Sequence, residues 1–168
     1  MKLLIKKFKW FAPDPVTRDG DSGYDLFAAI QRPLIIPAQC YRTIPTGIGV
    51  EVKYFSLFGR SKRLELQVRP RSGHTKRGIV AQYGTIDESY RGEIKISIYN
   101  MNRHQIRIEP GEKIAQLVIV PIYKPQIKFV EKLSETERGE NGFGSTGDFV
   151  NLTTTINETE GQNEIKRD

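Results

Sequence analysis

The sequence is poor in cysteine and histidine, the residues most often used to hold metals or to attack substrates. Its 168 residues include one cysteine, Cys40, and two histidines, His74 and His104. A single cysteine excludes an internal disulfide and argues against a thiolate metal site. No Ser-His-Asp or Cys-His set can be read from the chain. We therefore interpret Cys40 as an ordinary strand or loop thiol and both histidines as solvated loop residues.

Long apolar stretches are also absent. No segment approaches the roughly 20 consecutive apolar residues of a transmembrane helix. The opening MKLLIKKFKW is interrupted by Lys6, Lys7 and Lys9, and no small-residue cleavage site follows it, so it does not match a signal peptide. We expect a chain with no membrane partner that stays in the cytoplasm, or in the interior of a host cell if it is viral.

The chain does carry an excess of positive charge, with 26 Lys and Arg residues against 20 Asp and Glu residues and a net charge of +6. This balance favours anionic ligands such as nucleic acids or nucleotides. The densest basic stretch, at 59–77, lacks a stacking platform or a recognisable nucleic-acid module. A pocket for nucleotide phosphates fits the charge as well, and we expect no nucleic-acid partner.

Glycine and proline are plentiful, and they determine the predicted fold class. Fifteen glycines and nine prolines leave few windows in which an amphipathic helix could run for three turns. Short apolar runs between them predict strands in PLIIPAQCYRTIPTGIGVEV, EIKISIYN and KIAQLVIVPIY. EPGE, between two such runs, predicts a hairpin, and EKLSETERG is the one helix candidate. The pattern indicates an all-β sandwich, barrel or jelly roll.

The length and the changes in composition suggest one domain followed by two short segments. We place the β domain at 1–137, a glycine-rich segment at 138–147 and a polar tail, interpreted as disordered, at 148–168. The tail is rich in Thr and Asn and has no convincing core pattern. Residues 51–68 are interpreted as an extended hairpin of unknown role.

The glycine-rich segment RGENGFGSTG suits phosphate binding. Gly139 and Gly144 have the spacing of a Walker loop, but Ser145 stands where that loop needs lysine. Amides and hydroxyls can still surround phosphate oxygens, and Phe143 can cover a flat ring. A flexible linker is the plainer alternative.

Three further segments carry candidate chemistry. RPRSG, at 69–73, offers a guanidinium, a hydroxyl and an open amide for an oxyanion, although surface turns often have this composition. In YGTIDESYRGEIKI, Asp87 follows a strand-like run from which a carboxylate can face a pocket, or it can simply begin a turn. In SGYDLFAA, Asp25 can ligate Mg²⁺ through water or close a turn.

Together and in this order, SGYDLFAA, RPRSG, YGTIDESYRGEI, RIEPGEKIAQLVIVP and RGENGFGSTG resemble the five motifs of the trimeric dUTPases, across nearly all of residues 20–147. The resemblance implies an all-β distorted jelly roll with a mobile C-terminal lid. It also implies a homotrimer with active sites shared between subunits. The implied reaction is Mg²⁺-dependent hydrolysis of dUTP to dUMP and pyrophosphate, which lowers dUTP and supplies dUMP for thymidylate synthesis.

The resemblance also implies roles for individual residues. Asp87 would be the general base that activates the attacking water, and Tyr90 would pack against the sugar and exclude a 2′-hydroxyl. Asp25 would hold the metal through water, and Phe143 would stack on uracil as the lid closes. The implied substrate-binding residues are Arg71, Ser72, Gly73, Thr85, Ile86, Tyr90, Lys95, Gln116, Arg138, Phe143, Gly144, Ser145 and Thr146.

Within this set, three roles are more detailed. The Arg71–Gly73 turn would grip the inner phosphates from a neighbouring subunit, and Gln116 would touch the phosphates or the surroundings of Asp25. Arg138, with the lid hydroxyls, would hold the γ-phosphate. The chain lacks an asparagine that some family members use for uracil, so main-chain groups of about 80–85 are expected to read the base.

Two alternatives remain open at this point. A dCTP deaminase, or its bifunctional relative that also hydrolyses the triphosphate, shares the fold. Those enzymes place a glutamate ten residues after the matching aspartate, where this chain has Ser97, which cannot shuttle protons at neutral pH. A dUTPase-like regulatory binding protein is the second alternative.

Overall fold

This computed structural model describes residues 1–53 and 63–140. Those residues include eleven β-strands and one short α-helix. The strands are β1 (Lys2–Lys7), β2 (Tyr24–Phe27), β3 (Leu34–Ile36), β4 (Tyr41–Pro45), β5 (Ile48–Lys53), β6 (Arg63–Arg69), β7 (Ile79–Ala81), β8 (Gly84–Asp87), β9 (Lys95–Asn100), β10 (Ile106–Ile108) and β11 (Lys113–Ile122). The helix α1 spans Ser72–Lys76. The all-β prediction is confirmed, and so are strands in the three predicted segments.

The strands form four antiparallel sheets. The largest has the order β2-β11-β6-β8, a second has the order β4-β9-β7, and the pairs β1-β5 and β10-β3 complete the set. The ten-residue β11 pairs with β2 near its start and with β6 from Gln116 onward. This long strand therefore fixes the positions of β2 and β6 relative to each other.

Alternation along the strands explains which face of the large sheet is buried. In β6, Leu64, Leu66 and Val68 are buried, and the residues between them are polar and partly exposed. Successive strand side chains point to opposite faces, so the apolar set faces the core. The core consists of isoleucine, leucine, valine and alanine, and most of its members lie on strands.

The chain divides into two compact units, residues 1–125 and 126–168. All the strands and α1 lie in the first unit. In the second unit, the described residues 126–140 are exposed and contain one turn, in which the Gly139 N–H donates to the Thr136 carbonyl at 3.0 Å. In the described ranges, α1 is the only helix, and five residues are far too few to cross a bilayer.

Three secondary-structure predictions are wrong. The segment EKLSETERG is not helical, because its residues are all exposed and a short helix without a buried face is marginal in water. EPGE does form a turn, with Gly111 at φ +73°, but the strands on either side of it enter different sheets and form no hairpin. The extended hairpin also fails for the described residues: β5 pairs with β1, and β6 pairs with β11 and β8. Its predicted tip, 54–62, lies outside the described residues.

A buried asparagine ties three segments of the fold together. The fully buried Asn100 donates from Nδ2 to the carbonyls of Ile36, Pro37 and His104 at 2.8–3.1 Å. Its Oδ1 accepts from the main-chain N–H of Asn102 at 3.0 Å. Removing the amide would leave several buried polar groups without partners.

We predict that Asn100→Leu lowers the free energy of unfolding by about 3 kcal/mol or more, since each orphaned buried group costs roughly 1–3 kcal/mol. Urea titration at fixed protein concentration measures the change. The matched control is Gln105→Leu at an exposed side chain, expected to stay within about 0.5 kcal/mol of wild type. Equal stability of the two variants would contradict the role given to Asn100.

Candidate active site

One cleft collects five of the residues singled out from the sequence. Thr85, Ile86, Asp87, Tyr90 and Lys95 all line it, together with Glu93 and Ile94, and its volume is about 310 Å³. The cleft lies between the end of β8 and the start of β9. Residues separated by up to ten positions therefore face one space that is at the lower end of the usual size for a ligand pocket.

Asp87 is the last residue of β8, and its side chain is exposed. The strand fixes its backbone through pairing with Glu65 of β6, and a turn follows in which the Tyr90 N–H donates to the Asp87 carbonyl at 2.9 Å. The carboxylate thus stands at a rigid strand end and remains open to solvent. Asp87 also borders a larger cleft of about 730 Å³ with Arg63, Arg91 and Lys124 on its wall.

Three residues of β8, Thr85, Ile86 and Asp87, line the cleft of about 310 Å³. Strand β8 is the last strand of its sheet, so in the described residues it pairs on one side only, with β6. Its other edge carries main-chain N–H and C=O groups with no strand partner in the described residues. An unpaired strand edge can hydrogen-bond a planar group that presents alternating donors and acceptors.

Tyr90 is held over a glycine. Its hydroxyl donates to the Glu93 carbonyl at 3.2 Å, and a Cβ added at Gly92 would lie 2.5 Å from Cζ of the ring. A Cβ at Gly49 would in turn lie 2.7 Å from the Gly92 carbonyl oxygen. Only glycine leaves enough space at both positions. At Gly92 the reason is the contact with the Tyr90 ring and not an unusual backbone angle.

A second group of polar side chains surrounds Asp25 on β2. Arg71 Nε donates to Asp25 Oδ1 at 3.0 Å, and Lys113 Nζ donates to Oδ2 at 2.9 Å. Gln116 lies directly opposite Asp25 on β11 and opposite Arg69 on β6, so these three side chains share one face of the sheet. The structure therefore brings together Asp25, Arg71 and Gln116, of which the sequence suggested only the proximity of Gln116 to Asp25.

The pKa of the Asp25 carboxyl lies below its ordinary value. Burial, which leaves 14% of the side chain exposed, would raise this pKa, but the hydrogen bond from Lys113 and the positive charges of Arg71 and Lys113 outweigh it. A hydrogen bond from Gln116 acts in the same direction. Asp25 is thus kept ionised by two cations.

Ser72 and Gly73 are exposed at the start of α1. A Cβ added at Gly73 would meet no atom within 4 Å, so the main chain is open to approach on that side. Arg71 immediately precedes the helix and also donates from Nη1 to the Lys113 carbonyl at 3.3 Å. The turn therefore presents a hydroxyl and an unobstructed backbone beside the Asp25 group.

The cleft and the Asp25 group are far apart within one chain. Asp25 and Asp87 are separated by three strand spacings across the sheet and by four residues along it. With about 4.8 Å between strands and about 3.4 Å per residue, this separation is about 20 Å. A single chain does not bring Asp87 and Arg71 to one reacting atom.

His74 corrects a prediction made from the sequence. It is not solvated: its side chain is 5% exposed, and Nε2 lies 3.0 Å from Glu112 Oε1. Burial lowers the pKa of the ring more than Glu112 raises it, so the pKa lies below its ordinary value. The neutral form is therefore favoured in the folded protein. His104, by contrast, is an exposed loop residue, as predicted.

Four predicted lid residues, Phe143, Gly144, Ser145 and Thr146, lie outside the described residues. Arg138 is described and lies in the exposed turn closed by Gly139.

Sequence reasoning missed Lys113, Glu112 and the buried His74. The position of Lys113 at the entry of an apolar strand is a weak signal for a cation facing a site. The helix that carries His74 is too short to show any periodicity, so the sequence offered no signal for its burial.

Comparison with known proteins assigns the family. The dUTPase family model matches residues 11–147. The chain belongs to the dUTPase family. Among curated relatives, the deoxyuridine 5'-triphosphate nucleotidohydrolase of Clostridium kluyveri is 44% identical over 151 residues, which cover 88% of this chain and 99% of the relative. The corresponding protein of Hydrogenobaculum sp. is 41% identical over the same length and with the same coverage.

Solved dUTPase structures have the same fold. A variant of the Staphylococcus bacteriophage 80alpha dUTPase with dUpNHpp superposes with a TM-score of 0.76 at 30% identity, covering 88% of this chain and 99% of that one. The distorted jelly roll implied by the sequence motifs is thereby confirmed.

We predict that ionised Asp25 stabilises the fold above about pH 4 and that this stabilisation is lost as the pH falls through its lowered pKa. The stability difference between wild type and Asp25→Asn should be constant near neutral pH and shrink below about pH 3.8. Urea unfolding across pH 3–7 measures it. Asp14→Asn, at an exposed carboxylate paired with Lys7, is the control. A difference that grows on acidification would contradict the assignment.

Proposed function

We propose that this protein hydrolyses dUTP to dUMP and pyrophosphate. The observation that carries the proposal is the cleft beside β8, in which an exposed carboxylate, an unpaired strand edge and a firmly held tyrosine ring meet. Family membership and the names of the curated relatives support the same substrate. The 80alpha dUTPase variant was solved with the nucleotide analogue dUpNHpp.

The uracil ring suits the edge of β8. Its O2, N3–H and O4 alternate as acceptor, donor and acceptor, the pattern that main-chain groups of a strand edge can pair with. The Tyr90 ring, held over Gly92, would pack against the deoxyribose and leave no room for a 2′-hydroxyl. Recognition of uracil would then need no dedicated side chain. Deoxyribose would be selected over ribose by steric exclusion of the 2′-hydroxyl.

Asp87 is proposed as the general base. Its carboxylate would accept a proton from the water that attacks the α-phosphorus, while the bond from that phosphorus to the bridging oxygen breaks and pyrophosphate departs. A base in this role needs an oriented, ionised and accessible carboxylate. The strand end supplies the orientation, and the exposure of Asp87 supplies the access.

The phosphates would be held by a neighbouring subunit. Arg71, Ser72 and Gly73 offer a charge, a hydroxyl and an open backbone, but Arg71 is bound to Asp25, which lies about 20 Å from Asp87 of the same chain. A second copy of the chain that places its Arg71–Gly73 turn against this cleft would bring these groups to the same nucleotide as Asp87. We therefore propose a homotrimer with shared active sites.

Exposed apolar side chains support such an assembly. In the second unit, Ile127, Phe129 and Leu133 are each more than 80% exposed. Large apolar side chains at such exposed positions favour burial against another surface. Another subunit of the same trimer would provide that surface.

Mg²⁺ would enter this site as part of the substrate complex. In the described residues, no group of three or more His, Cys, Asp or Glu side chains could hold a metal. Both carboxylate oxygens of Asp25 already accept hydrogen bonds from cations, and each oxygen retains a further lone pair for a metal-bound water. Mg²⁺ bound to the triphosphate would neutralise phosphate charge, with Asp25 as its water-mediated contact.

Residues 138–147 are proposed to act as the lid over the bound nucleotide. In this role Phe143 stacks on uracil, and Arg138, Ser145 and Thr146 hold the γ-phosphate, with Gly144 beside them. Lid closure excludes bulk water from the site. The cytoplasm, or the interior of a host cell, is the proposed location, and the dUMP formed would supply thymidylate synthesis.

The geometry disfavours deamination. A deaminase would need a proton shuttle at Ser97, and the hydroxyl of this residue lies 3.1 Å from Thr43 Oγ1. Ser97 is not among the residues that line the cleft.

We predict that Asp87→Asn retains nucleotide binding and lowers kcat by at least about 10²-fold, the lower end of the effect of losing a general base. Pyrophosphate release and isothermal titration with dUpNHpp measure the two quantities. The matched control is Glu88→Gln, since this neighbouring carboxylate borders only the larger cleft, and near-normal turnover is expected. Wild-type turnover by Asp87→Asn would refute the base assignment.

The substrate is tested by product analysis with dUTP, dCTP, UTP and dTTP in the presence of Mg²⁺. Formation of dUMP from dUTP alone is the expected result. Formation of dUTP or dUMP from dCTP would instead support the deaminase, and binding without any product would support a regulatory protein.

A further inference from the structure

A buried histidine lies directly behind the turn that carries Ser72 and Gly73. His74 is the third residue of α1, and the proposed reaction gives it no role. Its Nδ1 is buried and has no hydrogen-bond partner in the described part of the chain. A polar ring atom in such a position needs an explanation.

The position of α1 depends on contacts with the rest of the fold. The helix has five residues and no side-chain hydrogen bond at its N-cap, and a helix of this length is not stable alone. One of its side chains and that of the residue that follows it reach Glu112: His74 Nε2 lies 3.0 Å from Glu112 Oε1, and Arg77 Nη2 lies 3.4 Å from the same oxygen. Arg77 is 58% exposed, so the shielded bond of His74 is the stronger restraint.

Glu112 is itself firmly placed. Its Oε2 accepts the Glu109 N–H at 2.9 Å, its own N–H donates to the Glu109 carbonyl at 3.1 Å, and its carbonyl accepts the Ala28 N–H at 2.8 Å. The next residue, Lys113, holds Asp25 and accepts Arg71 through its carbonyl. The pair Glu112–Lys113 therefore holds the turn at both ends, at Arg71 and at His74.

Fold stability alone does not account for a histidine here. With Nε2–H directed to the carboxylate, Nδ1 is an acceptor left without a donor, which costs free energy in a buried site. An apolar side chain of similar volume would fill the space without this cost. The specific gain from histidine is the directed bond to Glu112.

We propose that His74 is a positioning residue for phosphate binding. Its bond to Glu112 sets the orientation of α1, so that the Ser72 hydroxyl and the Gly73 backbone meet the phosphates of the nucleotide bound in the neighbouring subunit's cleft. This inference rests on the proposed function, because it concerns the same site.

The test is His74→Leu. We expect KM for dUTP to rise about tenfold and kcat to stay within about twofold, because a grip on the phosphates acts equally in the ground state and the transition state. The affinity for dUpNHpp should fall by the same factor, while the affinity for deoxyuridine, which has no phosphate, should not change. A purely structural role would reduce the active fraction, and so kcat, with KM and both affinities unchanged.

Two further variants sharpen the test. His74→Gln keeps an N–H donor at similar reach and should restore KM to within about threefold of wild type. His104→Leu changes the other histidine, which is exposed, and should leave every parameter unchanged.

The outcomes separate this inference from the proposed function. If wild type hydrolyses dUTP and folded His74→Leu has the wild-type KM and the wild-type affinity for dUpNHpp, the inference is overturned and the function stands. If wild type does not hydrolyse dUTP, the function fails, and the dUpNHpp and deoxyuridine affinities still decide whether His74 positions the phosphate-binding turn.

Discussion

The pairing of β11 with both β2 and β6 is the constraint on which the site depends. Because Gln116 lies opposite both Asp25 and Arg69, the start of β11 aligns the Asp25 group with the end of β6, from which the chain enters the Arg71–Gly73 turn. The same sheet places β8 on the far side of β6, with Asp87 at its end. One antiparallel register thus positions these two groups of residues and also separates them.

The two groups of residues differ in their chemistry. Near Asp25, Arg71 and Lys113 neutralise the carboxylate, and polar groups and the open backbone at Gly73 lie beside it. This environment suits phosphates. Beside β8, an unpaired strand edge and a tyrosine ring suit a base and a sugar. Assembly of the chains, rather than movement within one chain, would bring the two environments to a single nucleotide.

The sequence predicted the features that depend on residues close together in the chain. Alternation of apolar residues identified the main strands, and the motifs identified Asp25, Asp87 and Tyr90, which the structure places on strands or in the turn after one. Sequence did not predict that EPGE joins two sheets, because partner choice depends on residues far away in the chain. It also missed the burial of His74, whose hydrogen-bond partner Glu112 lies 38 positions later in the chain.

The shared site is tested most directly by subunit complementation. Asp87→Asn and Arg71→Ala would be unfolded together in equal amounts, refolded, and assayed with dUTP after mass spectrometry confirms mixed trimers. A site that takes Asp87 from one chain and Arg71 from another is intact in about a quarter of random combinations, so activity should return to about a quarter of wild type from two nearly inactive parents. Mixed trimers with no recovered activity would contradict the shared site.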